Sequence, residues 1–172
     1  MSDWMDDLRD SLIEQKRQKE EDAENKRREE SRVRSMLGLI FQELEKNIQG
    51  DVHRLNQKVY DGQRMVEFRY INNTITGDHF LITLRHFRFY VRVNSKELKI
   101  ECNLEYLLPQ RHDFVPVNGG SEDFFVTTDE SGSSVVLTRT NKKESVAIGQ
   151  ISQISEKILS TIVRVAETGV VT

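Results

Sequence analysis

The sequence has few of the residues and runs that mark several large classes of protein. It contains one cysteine, Cys102, which excludes a disulfide within the chain and is typical of a reducing compartment. No apolar run approaches the ~18 residues of a membrane span. The opening residues include Asp3, Asp6 and Asp7 where a secretory leader would be basic and then apolar. We therefore expect a cytoplasmic protein that does not bind membranes.

Motifs for catalysis and for cofactors are also absent. The chain has four histidines: His53, His79, His86 and His112. None belongs to an HExxH pattern or another metal-binding spacing, and no GxGxxG or GxxxxGK[ST] loop offers a phosphate site. We expect no catalytic residue, no metal and no cofactor. A hydrolase with a site of unfamiliar pattern is the least favoured alternative.

Bulk positive charge is a further absence. Residues 1–50 carry thirteen acids and ten bases, and residues 51–172 carry fifteen of each. Neither part resembles a general nucleic-acid binder, which concentrates lysine and arginine. With 172 residues, of which 37% are hydrophobic, the chain has room for one globular domain and an extension.

The most unusual stretch that is present is a run of charge at residues 14–32. Fourteen of its nineteen residues are charged and Ala23 is its only apolar side chain, so it cannot form a core. The first 37 residues contain no glycine or proline, which favours one helix from about Asp3 to Gln49, roughly 70 Å long at ~1.5 Å per residue. We interpret residues 14–32 as a polar spacer; the alternative is a solvated, partly frayed connector.

Residues 1–13 form an apolar tip beyond the spacer. Trp4, Leu8 and Leu12 recur every four residues and share one face of a helix. We predict that they bind a partner, either a second copy of the chain or another protein. The surrounding acids argue against an anionic membrane surface, and a frayed terminus is the alternative.

Apolar residues return in a stripe at residues 33–49. Leu37, Ile40 and Leu44 have the spacing of a coiled-coil seam, but the same register puts Lys26 at a core position, so a coiled coil through residues 1–49 is disfavoured. The stripe is expected to pack on the domain or in a helical dimer interface. We predict these three residues as further partner-binding positions.

Gly50 is predicted to end the arm. Asp51 is then expected to cap a short second helix that stops at Gly62. This divides the chain into a helical arm, residues 1–50, and an α+β domain, residues 51–172.

Alternating apolar residues predict strands in the domain. The first four runs are 66–70, 80–84, 87–93 and 98–104. A change of apolar phase near Arg85 predicts a bulge or a bend. Residues 105–122 contain both prolines and a Gly-Gly pair, and we interpret them as a long internal loop.

The remaining residues predict a hairpin from 123–129 and 133–140, a short strand at 144–149 and an amphipathic helix at 151–169, with Gly169 just past its end. The predicted fold class is α+β: a long N-terminal helical arm, then an antiparallel sheet domain closed by an amphipathic C-terminal helix. Its element count resembles that of pleckstrin-homology-like barrels. A single open sheet fits the sequence equally well.

One predicted strand is rich in basic and aromatic residues. Residues 85–99 hold five bases and one acid. The alternation would expose one row of side chains: His86, Arg88, Tyr90 and Arg92. Such a row could bind an acidic peptide, or phosphates and bases. The alternative is ordinary cross-strand pairing with Glu67, Arg69 and Glu101.

We therefore expect a non-enzymatic interaction or adaptor module that self-associates, as a homo-oligomer, or docks a protein partner through its arm. The alternative is an accessory protein that binds nucleic acid through residues 85–99. Overall charge disfavours that alternative.

Overall fold

The computed structural model describes residues 4–73, 77–108, 110, 112–128, 135–141, 144–148 and 151–169. The elements are α1 (Trp4–Val59), β1 (Val66–Ile71), β2 (His79–Leu84), β3 (Phe87–Asn94), β4 (Lys99–Leu108), β5 (Asp113–Thr128), β6 (Val135–Asn141), β7 (Glu144–Ile148) and α2 (Ile151–Thr168). The predicted α+β class, with its long first helix, antiparallel sheet and closing helix, is confirmed.

The first helix is longer than the sequence suggested. α1 has 56 residues, about 84 Å at ~1.5 Å per residue. It continues through Gly50, so the predicted stop there and the separate helix capped by Asp51 are wrong. A glycine inside a helix costs only about 1 kcal/mol, and the buried residues Ile48 and Val52 hold both flanks of Gly50 on the domain.

The C-terminal end of α1 is tied to the first strand by one side chain. Asn56 Nδ2 donates to the carbonyl oxygen of Val66 at 2.9 Å, and Asn56 Oδ1 accepts from the backbone N–H groups of Met65 at 3.1 Å and Val66 at 2.9 Å. These bonds fix the direction of β1 relative to the end of α1.

The seven strands form one antiparallel meander in the order β1-β2-β3-β4-β5-β6-β7. β1 and β7 lie at its two ends, and the described strands include no pairing between them. Among the described strands the sheet is therefore open, as in the second of the two predicted arrangements.

The predicted loop at residues 105–122 is wrong. β4 continues to Leu108 and β5 begins at Asp113, so most of this stretch is paired strand. Pro116 is tolerated because β5 pairs with β6 only from Asp123 onward, which leaves Pro116 on a local edge.

The extra residues of β5 are absorbed where its pairing with β4 changes register, between Asn103 and Glu105. Gly120 lies there, and a Cβ at this position would be 2.8 Å from Leu104 Cβ. The glycine thus marks a close approach of two strands.

The change of phase near Arg85 is a hairpin turn. Leu84 and Phe87 are paired opposite each other, and Arg85 has a φ of 55° between them. Both apolar residues therefore face the helices.

Gly169 lies just past the C-terminal end of α2, as the sequence predicted. It has a φ of 69°, and its N–H donates to the carbonyl oxygen of Val165 at 2.8 Å, as expected past a helix C-terminus.

The core lies between one face of the sheet and the two helices. α1 contributes Val33, Leu37, Ile40, Phe41, Leu44, Ile48 and Val52, and α2 contributes Ile154, Ser155, Ile158, Leu159, Ile162 and Val165. The ring of Phe41 stacks on Phe80 of β2 at 5.2 Å between centroids.

This burial corrects the assignment of Leu37, Ile40 and Leu44 as partner-binding residues. Their exposed fractions are 1%, 7% and 0%. They pack within their own domain because the sheet and α2 supply the apolar surface that the stripe needs.

Candidate functional site

The part of α1 that projects from the domain is exposed on every side. All residues from 4 to 32 are exposed, and from here on the arm means these residues, because α1 is buried in the domain from Val33 onward. At ~1.5 Å per residue the arm is about 43 Å long. The arm and the part of α1 inside the domain form one unbroken helix, so the predicted polar spacer is helical. The arm therefore holds its end away from the core.

Ion pairs between neighbouring turns support the arm. Arg28 Nη2 lies 2.5 Å from Glu24 Oε1, and Arg17 Nη2 lies 2.7 Å from Glu14 Oε1. All four side chains are more than half exposed. Such pairs stabilise a helix by only about 0.3–0.5 kcal/mol each.

The end of the arm carries a continuous apolar surface. The exposed fractions are 69% for Trp4, 56% for Met5, 51% for Leu8, 57% for Leu12 and 59% for Ile13. We call these five residues the tip patch. Covering one such side chain contributes roughly 1.5–3 kcal/mol, so the patch is the largest unused source of binding energy that the arm offers.

The structure places the predicted residues Trp4, Leu8 and Leu12 together on this surface. Sequence reasoning missed Met5 and Ile13, which directly follow Trp4 and Leu12 and widen the patch. The signal was present, because a helical stripe is typically wider than a single row at spacing four.

The basic and aromatic row on β3 is arranged differently from the prediction. Arg88 Nε lies 2.5 Å from Glu105 Oε2, and Arg92 Nε lies 2.5 Å from Glu101 Oε2. Each acid stands directly opposite its arginine on β4. The guanidinium of Arg88 also covers the ring of Phe114 at 3.8 Å, so both arginines already have partners.

The two aromatic members of the row also contact neighbours. The ring of Tyr90 lies 4.9 Å from that of His79, and the ring of His86 lies 6.4 Å from that of Tyr106. His86 lies in the turn before β3. The four residues therefore do not form one free row.

The predicted cross-strand partners were only partly right. Glu101 does pair with the row, whereas Glu67 and Arg69 lie on β1, which β2 separates from β3. Glu105 was missed because it fell inside the predicted loop.

A cluster of charges around Lys99 completes the outer face of the sheet. Lys99 Nζ lies 2.7 Å from Glu97, 2.9 Å from Asp123 and 3.3 Å from Glu101. The hydrogen bond to Glu97, with those to Asp123 and Glu101, raises the pKa of Lys99 against the effect of burial. The ammonium is therefore held in place and satisfied.

Glu101 is the centre of this cluster. Burial alone would raise the pKa of its carboxyl, but hydrogen bonds from Asn94, Arg92 and Lys99 outweigh burial and lower the pKa. The carboxylate is a structural link between β3 and β4.

Cys102 is buried, and burial raises the pKa of its thiol, which leaves it neutral. In the described part of the chain, no group of three or more His, Cys, Asp or Glu side chains is placed to hold a metal ion. The described helices include none long and apolar enough to cross a membrane.

A groove between the two helices is a second candidate surface. It has a volume of about 630 Å³. Its lining is Asn47, Asp51, Arg54 and Leu55 of α1 with Ser152, Glu156, Leu159, Ser160, Val163 and Arg164 of α2. We call it the α1–α2 groove. Asp51 Oδ2 accepts a hydrogen bond from Ser155 Oγ at 2.6 Å, which joins the helices beneath it.

Sequence reasoning missed this groove, because its two walls lie about a hundred residues apart in the chain.

Comparisons with protein-family models, with curated proteins and with solved structures find no match for this chain.

Proposed function

We propose that this protein is a non-enzymatic interaction module that docks another polypeptide through the tip patch. The observation that carries the proposal is the patch itself, five large exposed apolar residues at the end of a charged helix. Contiguous apolar surface rimmed by polar residues typically marks a binding site.

The spacing of the patch favours a helical or grooved partner. Trp4, Leu8 and Leu12 follow one another at i, i+4 and i+8, which is how amphipathic helices anchor in apolar grooves. Tryptophan is enriched among residues that dominate binding energy. Arg9 and Lys16 border the patch, which favours a partner with acidic groups at the rim of its groove.

The arm suits an adaptor because it combines distance with rigidity. At ~1.5 Å per residue, the projecting helix holds Trp4 about 43 Å and Ile13 about 30 Å from Val33, the first buried residue of α1. Because α1 is continuous, a partner held at the tip would keep a defined position relative to the sheet.

The nucleic-acid alternative has less support. Arg88 and Arg92 are each paired with a carboxylate at 2.5 Å, so binding phosphate would require these pairs to break. Steep weakening of any nucleic-acid binding with added salt would be its signature.

The test compares a tip variant with a matched spacer variant of the full chain. Leu8→Asp with Leu12→Asp adds two negative charges to the patch, and Gln15→Asp with Asn25→Asp adds two to exposed polar positions. Light scattering over a concentration series gives the mass, and crosslinking in cell extract gives the bound proteins. We expect the tip variant to weaken association at least tenfold while the spacer variant retains it.

Circular dichroism should show equal thermal stability for both variants, since neither touches the core. If mass and crosslinked partners are unchanged in the tip variant, the proposal is wrong.

A further inference from the structure

α2 carries four charged side chains, and two of them are bound to the sheet and its turns. Lys157 Nζ lies 3.4 Å from Glu122 Oε1 of β5. Glu167 Oε1 lies 3.1 Å from Arg85 Nη2, in the turn between β2 and β3. These two contacts therefore help to hold α2 on its own domain.

The other two charged residues of α2, Glu156 and Arg164, form no ion pair within the described part of the chain. Both are exposed, and so is Ser160 midway between them. At ~3.6 residues per turn and ~1.5 Å per residue, each lies about 40° around the helix and about 6 Å along it from Ser160. They share one face, but they exceed the three- or four-residue spacing at which helical side chains meet. On the α1 side of the groove, the basic residue Arg54 is bound to Asp51.

The face centred on Ser160 is the outer surface of the helical layer. The buried residues Ile158, Ile162 and Val165 lie about 140–160° around the helix from Ser160, at ~3.6 residues per turn. The sheet is therefore on the opposite side of α2. A second helix placed on the outer face meets neither the sheet nor the core of its partner.

We infer that this face of α2 binds the same face of a second copy, with the two α2 helices antiparallel and a two-fold axis through Ser160. Such a rotation reverses both the level and the flank of every residue. Glu156 of one copy therefore comes opposite Arg164 of the other on the same flank, and the contact occurs twice by symmetry. Complementary charges of this kind fix the register of an interface. The tip patch takes no part in it.

Other registers of the two helices do not use the free charges. Three further antiparallel registers bring an acid level with a base: Glu156 with Lys157, Lys157 with Glu167, or Arg164 with Glu167. Each of these needs Lys157 or Glu167, which is already bound within the domain. An axis at Glu156 or at Arg164, or a parallel pair in register, brings like charges together. The charges therefore select the axis at Ser160.

The uncharged residues of the face suit two helices at close range. Ser160 is small, which favours helix axes ~8–10 Å apart. Beside it, Leu55, Leu159 and Val163 give the α1–α2 groove an apolar wall. Val163 is level with Lys157 of the other copy, whose aliphatic stem can cover it. The second copy thus covers part of the groove as well as joining the charges.

The two-fold axis also decides where the arms lie. α1 runs alongside α2, joined to it by the hydrogen bond between Ser155 and Asp51, and the rotation reverses its direction. The two arms therefore leave opposite ends of the dimer. If the tips dock a partner as proposed, one dimer offers two docking sites, which raises its avidity for a partner that carries several binding surfaces.

The first experiment exchanges the two charges in the full chain and measures the dimer dissociation constant by sedimentation equilibrium. Glu156→Arg alone and Arg164→Glu alone each bring like charges together twice, and we expect either change to raise the constant at least tenfold. The double variant and an equal mixture of the two single variants restore opposite pairs, and both should recover the dimer. Glu20→Arg and Arg27→Glu make the same changes of charge at exposed positions on the arm and should leave the constant unchanged.

The second experiment tests the position of the axis. With helix axes ~8–10 Å apart and each Cα about 2.3 Å from its axis, the two Ser160 Cα atoms face each other at roughly 4–6 Å, which a disulfide can bridge. Ser160→Cys should therefore crosslink the dimer under mild oxidation. Gln153→Cys is also exposed, but it lies about 21 Å from its copy at ~1.5 Å per residue and should not crosslink. Cys102 is buried and does not compete.

The outcomes separate this inference from the proposed function. A chain that is monomeric throughout the concentration series overturns the inference and leaves the tip free to dock another protein. A dimer that withstands the single charge changes, or that does not crosslink through Ser160→Cys, overturns the α2 interface. The tip variant, Leu8→Asp with Leu12→Asp, should remain dimeric, and its dissociation would show that the tips join the copies. A dimer whose tips capture no protein supports the inference and contradicts the proposed function.

Discussion

α1 contains two apolar segments that look alike in sequence and differ in structure. The apolar residues of α1 from Val33 to Val52 are covered by the sheet and α2, whereas the tip patch is more than half exposed at each of its five residues. Both have helical apolar spacing. Amphipathic spacing therefore indicates which face of a helix is apolar, but it does not indicate which surface buries that face.

The largest effect is expected where the comparison is most direct. Leu44→Ala removes a side chain with no exposed surface from the core and should lower the free energy of unfolding by about 2–5 kcal/mol. Leu12→Ala at the tip should change it by less than about 0.5 kcal/mol at concentrations where the chain is monomeric. Urea unfolding followed by circular dichroism measures both. Equal losses would show that the tip contributes to the domain's own stability.

A second pair of variants sharpens the comparison for charged groups. Glu101→Gln weakens hydrogen bonds from Asn94, Arg92 and Lys99 on the sheet, and the free energy of unfolding at neutral pH should fall by about 1–3 kcal/mol. Because folding lowers the pKa of Glu101, its contribution is present above its ordinary pKa and is lost as the pH falls through the folded value.

The acid side of the stability curve should therefore be flatter in Glu101→Gln than in the unmodified chain. Thermal unfolding between neutral pH and about pH 3, within the range where carboxylates titrate, measures this. Parallel curves would assign the cluster no role in acid sensitivity.

The smallest effect is expected from an equally short ion pair on the arm. Glu24→Gln loses the 2.5 Å contact with Arg28, yet both side chains are mostly exposed, so stability should change by at most about 0.5 kcal/mol. Thermal melts at low and high salt measure it. A loss of stability as large as that of Glu101→Gln would mean that the distance between the charged atoms decides the strength of these ion pairs more than their burial does.

Elements whose pattern is local could be predicted from the sequence. The helical arm, the first four strands and α2 depend on spacings within a few residues, and the exposed tip followed from its separation from any core. The α+β class came from the order of these patterns.

The errors arose where a residue's effect depends on distant neighbours. Gly50 is held inside α1 by packing on both sides, and Pro116 is accepted because β6 does not reach it. The pairing of Arg88 with Glu105 depends on the register of β3 and β4. The α1–α2 groove exists only after the chain has folded, so no local pattern indicates it.

Because α1 is continuous, any tilt of the helix where it leaves the domain displaces the whole arm as one rigid body. At ~1.5 Å per residue, a tilt of about 5° where the helix leaves the core would move Trp4 by roughly 4 Å. Small adjustments between α1 and α2 are thus amplified at the far end of the molecule. The hydrogen bonds at Asn56 and Ser155 therefore help to fix the direction of the arm, although both lie far from the tip patch.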